Sequence, residues 1–272
     1  MKKLSLLFSI CFLIFSHQSA IAQTNTDDVH IANQVERYLA KTINTYQIGQ
    51  HAYYARKALA SALAAFNEGN YGIGALVLLV NDGVIYEFPG RNAMVTGPGI
   101  TDHAEARALE DAVAYKHYLN NGKNQYNLEM SEENIARSNL VEPVTSYPVN
   151  TNKGTQQFSK DGYYVYGTLE PCPMCMVMII NAKANLSISS AIDGDLVQNE
   201  FLGKDSLQKT SNAGAMAIGE KFKYNPFVWQ WIAGGQNLSF KQLSTDDKDL
   251  INLSEKIFST TREEIDAKLG SN

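Results

Sequence analysis

Tyr163-Tyr164-Val165-Tyr166-Gly167-Thr168-Leu169-Glu170-Pro171-Cys172-Pro173-Met174-Cys175 reads in one pass as strand, turn and helix start. The first seven residues carry the aromatic and β-branched side chains that favour a strand. Pro171 and Pro173 then open a helix from about Cys172 to Lys183, since proline is tolerated in a first helical turn. Cys172 and Cys175, at i and i+3 on that turn, face the same way. The helix N-terminus favours thiolate there.

The complementary stretch lies upstream. His103-Ala104-Glu105 ends 66 residues before Pro171. Thr101 or Asp102 can cap a helix running from there to about Tyr118. Ala104, Ala106, Ala108, Leu109, Ala112 and Val113 give that helix an apolar side. One imidazole and two thiolates are donors that zinc accepts in a tetrahedron. Three protein ligands, His103, Cys172 and Cys175, leave one position for water, which is the catalytic rather than the structural arrangement. Glu105 sits two residues past a ligand, so it can lie beside the metal without binding it and move protons. Either motif alone is weak; the two together, in order and in strand–helix contexts, are specific.

Ala75 to Val80, then Asn81-Asp82-Gly83, then Val84 to Glu87 read as a hairpin. Pro89 to Thr101 is a glycine-punctuated loop. Upstream, Val35, Leu39, Ile43 and Tyr46 follow a helical stripe, and Ala55 to Ala65 suit a second helix ending at Asn67-Glu68-Gly69-Asn70. Residues 23–32 are polar and read as a mobile tail. Residues 120–161 are a long polar excursion with one short helix expected over 131–138, and a loop this long is usually functional or disordered. Leu186 to Ser190 is a further strand, 227–231 another, and Thr245 to Leu269 a closing helix.

The combination resembles the cytidine/deoxycytidylate deaminase-like zinc hydrolases. The branch with histidine as first ligand, typified by bacterial guanine deaminases and tRNA adenosine deaminases, is most similar in Leu169 to Cys175 and His103-Ala104-Glu105. This is also the H-x-E…P-C-x-x-C signature of zinc deaminases. The resemblance spans roughly Tyr71 to Ser190. It implies an α/β fold, a three-layer α/β/α sandwich with a mixed five-stranded sheet, here with N- and C-terminal helical additions. It implies Zn2+ as cofactor and Glu105 as the catalytic proton carrier. It further implies substrate contacts from Asn92 and from the Ala104 backbone, and a possible homodimer.

The chain opens with an export pattern. Met1-Lys2-Lys3 is positive, Leu4 to Phe15 is largely apolar and too short to span a bilayer, and Ala20-Ile21-Ala22 is a cleavage site. The expected divisions are a signal over 1–22, a helical extension over 23–70, a zinc deaminase core over 71–200 and a C-terminal extension over 201–272. The mature protein is expected in the periplasm or secreted, with no membrane contact after cleavage. The whole chain has a formal net charge of −5, and cleavage removes Lys2 and Lys3 and no acid. An acidic protein is a poor general binder of phosphate backbones.

The expected function is therefore zinc-dependent deamination of a small nucleobase or nucleoside, a purine such as guanine favoured. Three alternatives stay open. One is an exported deaminase of nucleic acid, acting as an effector or toxin. Another is a thiol–disulfide oxidoreductase using Cys172-Pro173-Met174-Cys175, which leaves His103 and Glu105 unexplained. The last is a binding module that keeps the fold. His30, His51 and His117 lack ligand spacing and read as surface or core residues. Tyr224, Phe227, Trp229 and Trp231 could stack on a substrate base but read more readily as core, and Lys221 and Lys223 as a solvated face.

Overall fold

β1 (Gly74–Asn81) is buried along nearly its whole length, as a strand covered on both faces must be. A two-residue turn joins it to β2 (Val84–Arg91). Asp82 and Gly83 both have positive φ, 51° and 73°, and that geometry matches the twist of paired strands. The structure is a computed structural model that describes residues 26–99, 101–121, 141–150, 154–191 and 239–270. The expected strand over 227–231, the short helix over 131–138 and the export signal lie outside these residues.

Four more strands complete the sheet: β3 (Thr145–Pro148), β4 (Gly162–Gly167), β5 (Leu186–Ser189) and β6 (Ser239–Gln242). Their order is β3-β2-β1-β4-β5-β6. The pairs from β3 to β4 are antiparallel, and those from β4 to β6 are parallel. The sheet is thus mixed, as expected, with six strands where the resemblance implies five. β3 rises from the excursion read as loop. Its four residues, alternating half-buried and exposed, carry too little pattern to announce a strand, and Pro148 suits its edge position.

Alternation along β1 sorts the two faces. Leu76, Leu78 and Val80 point to one cluster, with Tyr164, Tyr166 and Ile188. That cluster is covered by α1 (Thr26–Lys41), α2 (His51–Asn67) and α5 (Lys248–Gly270). Ala75, Val77 and Leu79 point to the other, covered by α3 (Ala104–Asn121) and α4 (Pro173–Asn181). The result is three layers, α/β/α.

α1 starts within the stretch read as a mobile tail and ends before the expected stripe does, leaving Ile43 66% exposed. The end has a local cause. Thr42 returns its N–H and its hydroxyl to the Tyr38 carbonyl. Arg56 on α2 donates to the Leu39 carbonyl and to Thr42 Oγ1, satisfying carbonyls that the helix end leaves open.

α5 is capped by Asp247. Its Oδ1 accepts the Leu250 N–H at 3.1 Å, and its Oδ2 accepts the hydroxyls of Tyr38 and Tyr46. One carboxylate therefore starts α5 and ties it to the end of α1. Downstream, Gly72 donates its N–H to Thr261 Oγ1 at 3.0 Å. A Cβ at Gly72 would lie 2.6 Å from the Ile257 carbonyl oxygen, so this close seat requires glycine.

A polar knot joins the excursion to the body. Glu87 is fully buried on β2, ion-paired with Lys57 of α2 and accepting the Tyr147 hydroxyl of β3 at 2.8 Å. That hydroxyl lies 3.0 Å from the hydroxyl of Tyr54. A buried carboxylate needs such partners.

Candidate functional site

The close approach of β2 and α3 sets the first ligand. A Cβ at Gly90 would collide with the Ala104 carbonyl oxygen, so glycine there lets the helix start lie on the sheet. α3 begins at Ala104, immediately after His103. The expected cap at Thr101 or Asp102 is not made. Asp102 instead accepts the Gly99 N–H through Oδ2 at 2.9 Å, closing the loop that precedes the helix. The Ala93 N–H to Asp102 carbonyl bond, 2.8 Å, holds the other side of that loop.

The second and third ligands come from α4. Cys172 is the N-cap residue, and its Sγ accepts the Cys175 N–H at 3.5 Å. His103 Nδ1 lies 3.5 Å from Cys172 Sγ. The ligand atoms of His103, Cys172 and Cys175 all fall within 4.8 Å of one another. Donors 2.0–2.3 Å from a tetrahedral centre are about 3.4–3.8 Å apart, so the histidine–thiolate edge already has tetrahedral length. The residues fit zinc. Both cysteines are free thiols.

Glu105, 3% exposed, lies beside this cluster over Gly167 at the end of β4. Burial, and after it the negative Cys172 sulfur, push its carboxyl up to about 7. The Cys172 thiol is held down to about 4, chiefly by the hydrogen bond from the Cys175 thiol and also by His103. Cys175 is pushed well up, first by that same hydrogen bond and then by burial. The two sulfurs thus act on each other in opposite directions. The His103 imidazole is raised by its bond to Cys172.

His103, Glu105 and Cys172 open on a cavity of about 280 Å³. Asn92 lines it and is fully buried. Its Oδ1 accepts the Met94 N–H, while its Nδ2 has no hydrogen-bond partner. A buried donor left open at a cavity wall is an invitation to a ligand. Ala104 begins α3, where the first N–H groups of a helix lack intrahelical partners. A larger groove of about 730 Å³ between α1 and α5 shares no residue with this cavity.

The structure brings His103, Cys172 and Cys175 into one cluster, with Glu105 and Asn92 on the cavity beside it, whereas Ala104 is fully buried and is not among the residues that line that cavity. It keeps the other histidines apart from them. His51 Nδ1 bonds the Tyr166 hydroxyl at 2.8 Å, His30 contacts Gln34 on α1, and His117 is exposed on α3. Tyr224, Phe227, Trp229, Trp231, Lys221 and Lys223 lie outside the described residues. Phe258 and Arg262 of α5 also line the cavity, and sequence reasoning passed them over as part of a closing helix. Their i, i+4 spacing on one helical face was the available signal.

The sequence profile described as the cytidine and deoxycytidylate deaminase zinc-binding region matches residues 48–189, and the chain belongs to that family. Zinc is accordingly the cofactor, and His103, Cys172 and Cys175 are positioned to bind a metal. No curated protein matches the chain. Solved structures with similarity include a guanine deaminase from Nitrosomonas europaea, 16% identical, covering 77% of this chain and 83% of that one, TM-score 0.41. A structure from work on A-to-I editing by tRNA:A34 deaminases is 18% identical, covering 76% and 99%, TM-score 0.39. A dCMP deaminase from the cyanophage S-TIM5 is 14% identical, covering 71% and 96%, TM-score 0.30.

Proposed function

We propose that the protein is a zinc-dependent hydrolytic deaminase of a small nucleobase or nucleoside, a purine such as guanine favoured, releasing ammonia. The observation that carries this reading is the buried Glu105 carboxyl beside the His103, Cys172 and Cys175 cluster, with Asn92 on the same cavity. The likeness of the two motifs to the guanine deaminase branch favours a purine.

His103 Nδ1 and the two cysteine sulfurs would hold the zinc. When bound, zinc supplies a water whose pKa is lowered toward neutrality. Glu105 accepts a proton from the attacking water and returns it to a ring nitrogen, then assists departure of the amine as ammonia. Burial pushes the Glu105 carboxyl up from the usual carboxylate range, the direction that suits a group taking and giving a proton near neutral pH. Asn92 Nδ2 donates to an acceptor on the base, and the Ala104 N–H to a second. Ile73 and Leu169 give the cavity apolar walls, which exclude bulk water and strengthen these contacts. Residues 1–22 serve as the export signal, so the chemistry takes place in the periplasm or outside the cell.

The test is ammonia release by zinc-loaded protein from bases, nucleosides and single-stranded nucleic acid, with Glu105→Ala as control. Release from one small molecule, lost in the variant, supports the reading. Release from polymer alone replaces it with the nucleic-acid alternative, and release unchanged in the variant removes Glu105 from the mechanism.

A further inference from the structure

We propose that α5 supplies the substrate-selecting wall of the cavity. Arg262 donates to an oxygen acceptor on the ligand, and the Phe258 ring lies against the ligand's aromatic plane. The inference rests on the deaminase reading of the same cavity and adds to it the group that the site demands beyond the amine.

Three observations carry it. First, α5 lies beyond residues 48–189, the segment that the family profile matches. The metal and proton groups come from that segment, while Phe258 and Arg262 come from this chain's own extension. Second, their placement is enforced by packing. Ile257 and Thr261 seat on Gly72 through the carbonyl contact and the 3.0 Å hydrogen bond described above. Phe258 and Arg262 follow each of these by one residue, so they form the adjacent i, i+4 pair. They meet the cavity where Tyr71 and Ile73, the neighbours of Gly72, also line it.

Third, the pair has the chemistry of a reader. The Arg262 guanidinium carbon lies 5.8 Å from the Phe258 ring centroid, a cation–π arrangement that restrains the fork. Among the described residues lining the cavity, Arg262 is the one permanently charged cation. Glu105 and Glu170 line the same cavity. A guanidinium has five N–H donors in a plane. Even while serving a carboxylate, it keeps donors for a ligand. Oxygen acceptors match that fork best. A ring carbonyl and a phosphate share this chemistry. A volume of about 280 Å³, just below the usual range of ligand pockets, favours the ring carbonyl of a free base or nucleoside.

The experiment is calorimetric titration of zinc-loaded full-length Glu105→Ala protein, which does not consume its ligand, with guanine, 2,6-diaminopurine and GMP. The titrations are repeated with Arg262→Ala and Arg262→Lys added. Arg262→Ala is expected to weaken guanine binding about 10- to 100-fold, the usual worth of a charge-assisted hydrogen bond. Binding of 2,6-diaminopurine, which has an amine in place of the carbonyl, should stay within about twofold. Arg262→Lys should restore part of the loss. Arg262 dependence confined to GMP supports the oxygen acceptor and assigns it to phosphate. Equal loss for guanine and 2,6-diaminopurine, with unchanged zinc content and circular dichroism, would mean a merely structural arginine and overturn the proposal. So would no loss, or failure of both guanine and GMP to bind when Arg262 is intact. The deaminase reading fails separately, if unmutated protein releases no ammonia from ligands it binds.

Discussion

At the residue scale, the proposed mechanism separates holding metal from moving protons. His103, Cys172 and Cys175 converge on one point, whereas Glu105 is set beside them by burial over Gly167. Glu105→Gln keeps size and removes the acid. Ammonia release should fall at least about 100-fold, the scale of general acid–base catalysis, while bound zinc per chain stays unchanged by elemental analysis. Loss of zinc from this variant would make Glu105 a ligand and refute its proposed role. These residues were legible because each motif is local: H-x-E and C-x-x-C fix their own geometry within one helical turn. Asn92 was legible only through family resemblance, since nothing in its neighbours announces a buried open Nδ2.

At the scale of elements, legibility tracked length and periodicity. β1, β2, β4, α2, α3 and α5 carry enough apolar repeats to be read. β3 and β6, four residues each, do not, whereas β5, equally short, is read from its alternating Leu186-Ser187-Ile188-Ser189. The fit of α5 at the cavity could not be read at all, because the Gly72–Thr261 bond joins residues 189 apart. Glycine at position 90 has the same hidden reason. Gly90→Ala should force α3 outward and shift His103, giving a loss of zinc affinity and a melting temperature lowered by the cost of overpacking, about 1–3 kcal/mol. Intact zinc binding in this variant would show that the helix start tolerates displacement.

Asp247 gives a prediction with a sign. Burial alone would raise its carboxyl, but the hydroxyls of Tyr46 and Tyr38 and the Leu250 N–H outweigh it and hold it below the usual carboxylate range. A carboxyl depressed by folding adds stability that is fully present above the unfolded value, near pH 4, and is lost as pH falls through the folded one. Asp247→Ala should therefore cost about 1–2 kcal/mol at pH 7, the value of a helix cap. The gap from the unmutated protein should narrow as denaturation is measured toward pH 3. A gap that stays constant with pH would show that the charge of Asp247 contributes nothing.

At the scale of the molecule, metal and stability are linked. With the candidate ligands at the starts of α3 and α4, bound zinc would bridge two elements of one face. Zinc at about 100 times its dissociation constant would add about 2.7 kcal/mol, some 5–10 °C for a body of this size. Chelation should lower the melting temperature by that amount, and Cys172→Ser should abolish the difference. A melting temperature indifferent to zinc in the unmutated protein would refute the cluster as a metal site. Composition was informative at this scale, since acidity spoke against general phosphate binding. It was silent on the excursion, which proved to contribute β3 and the Tyr147 partner of Glu87. Removing 122–158 would take away that strand and the Tyr147 partner of Glu87.

The seating of α5 also bears on the order in which the molecule is made. A ribosome releases residues 103–175 well before residues 248–270. All three metal ligands and Glu105 are thus in hand while the wall with Phe258 and Arg262 is still unsynthesised. A chain that ends before α5 would keep every residue of the candidate metal and proton cluster, but would lose the proposed wall together with the fully buried Leu250 and Ile257 of the core.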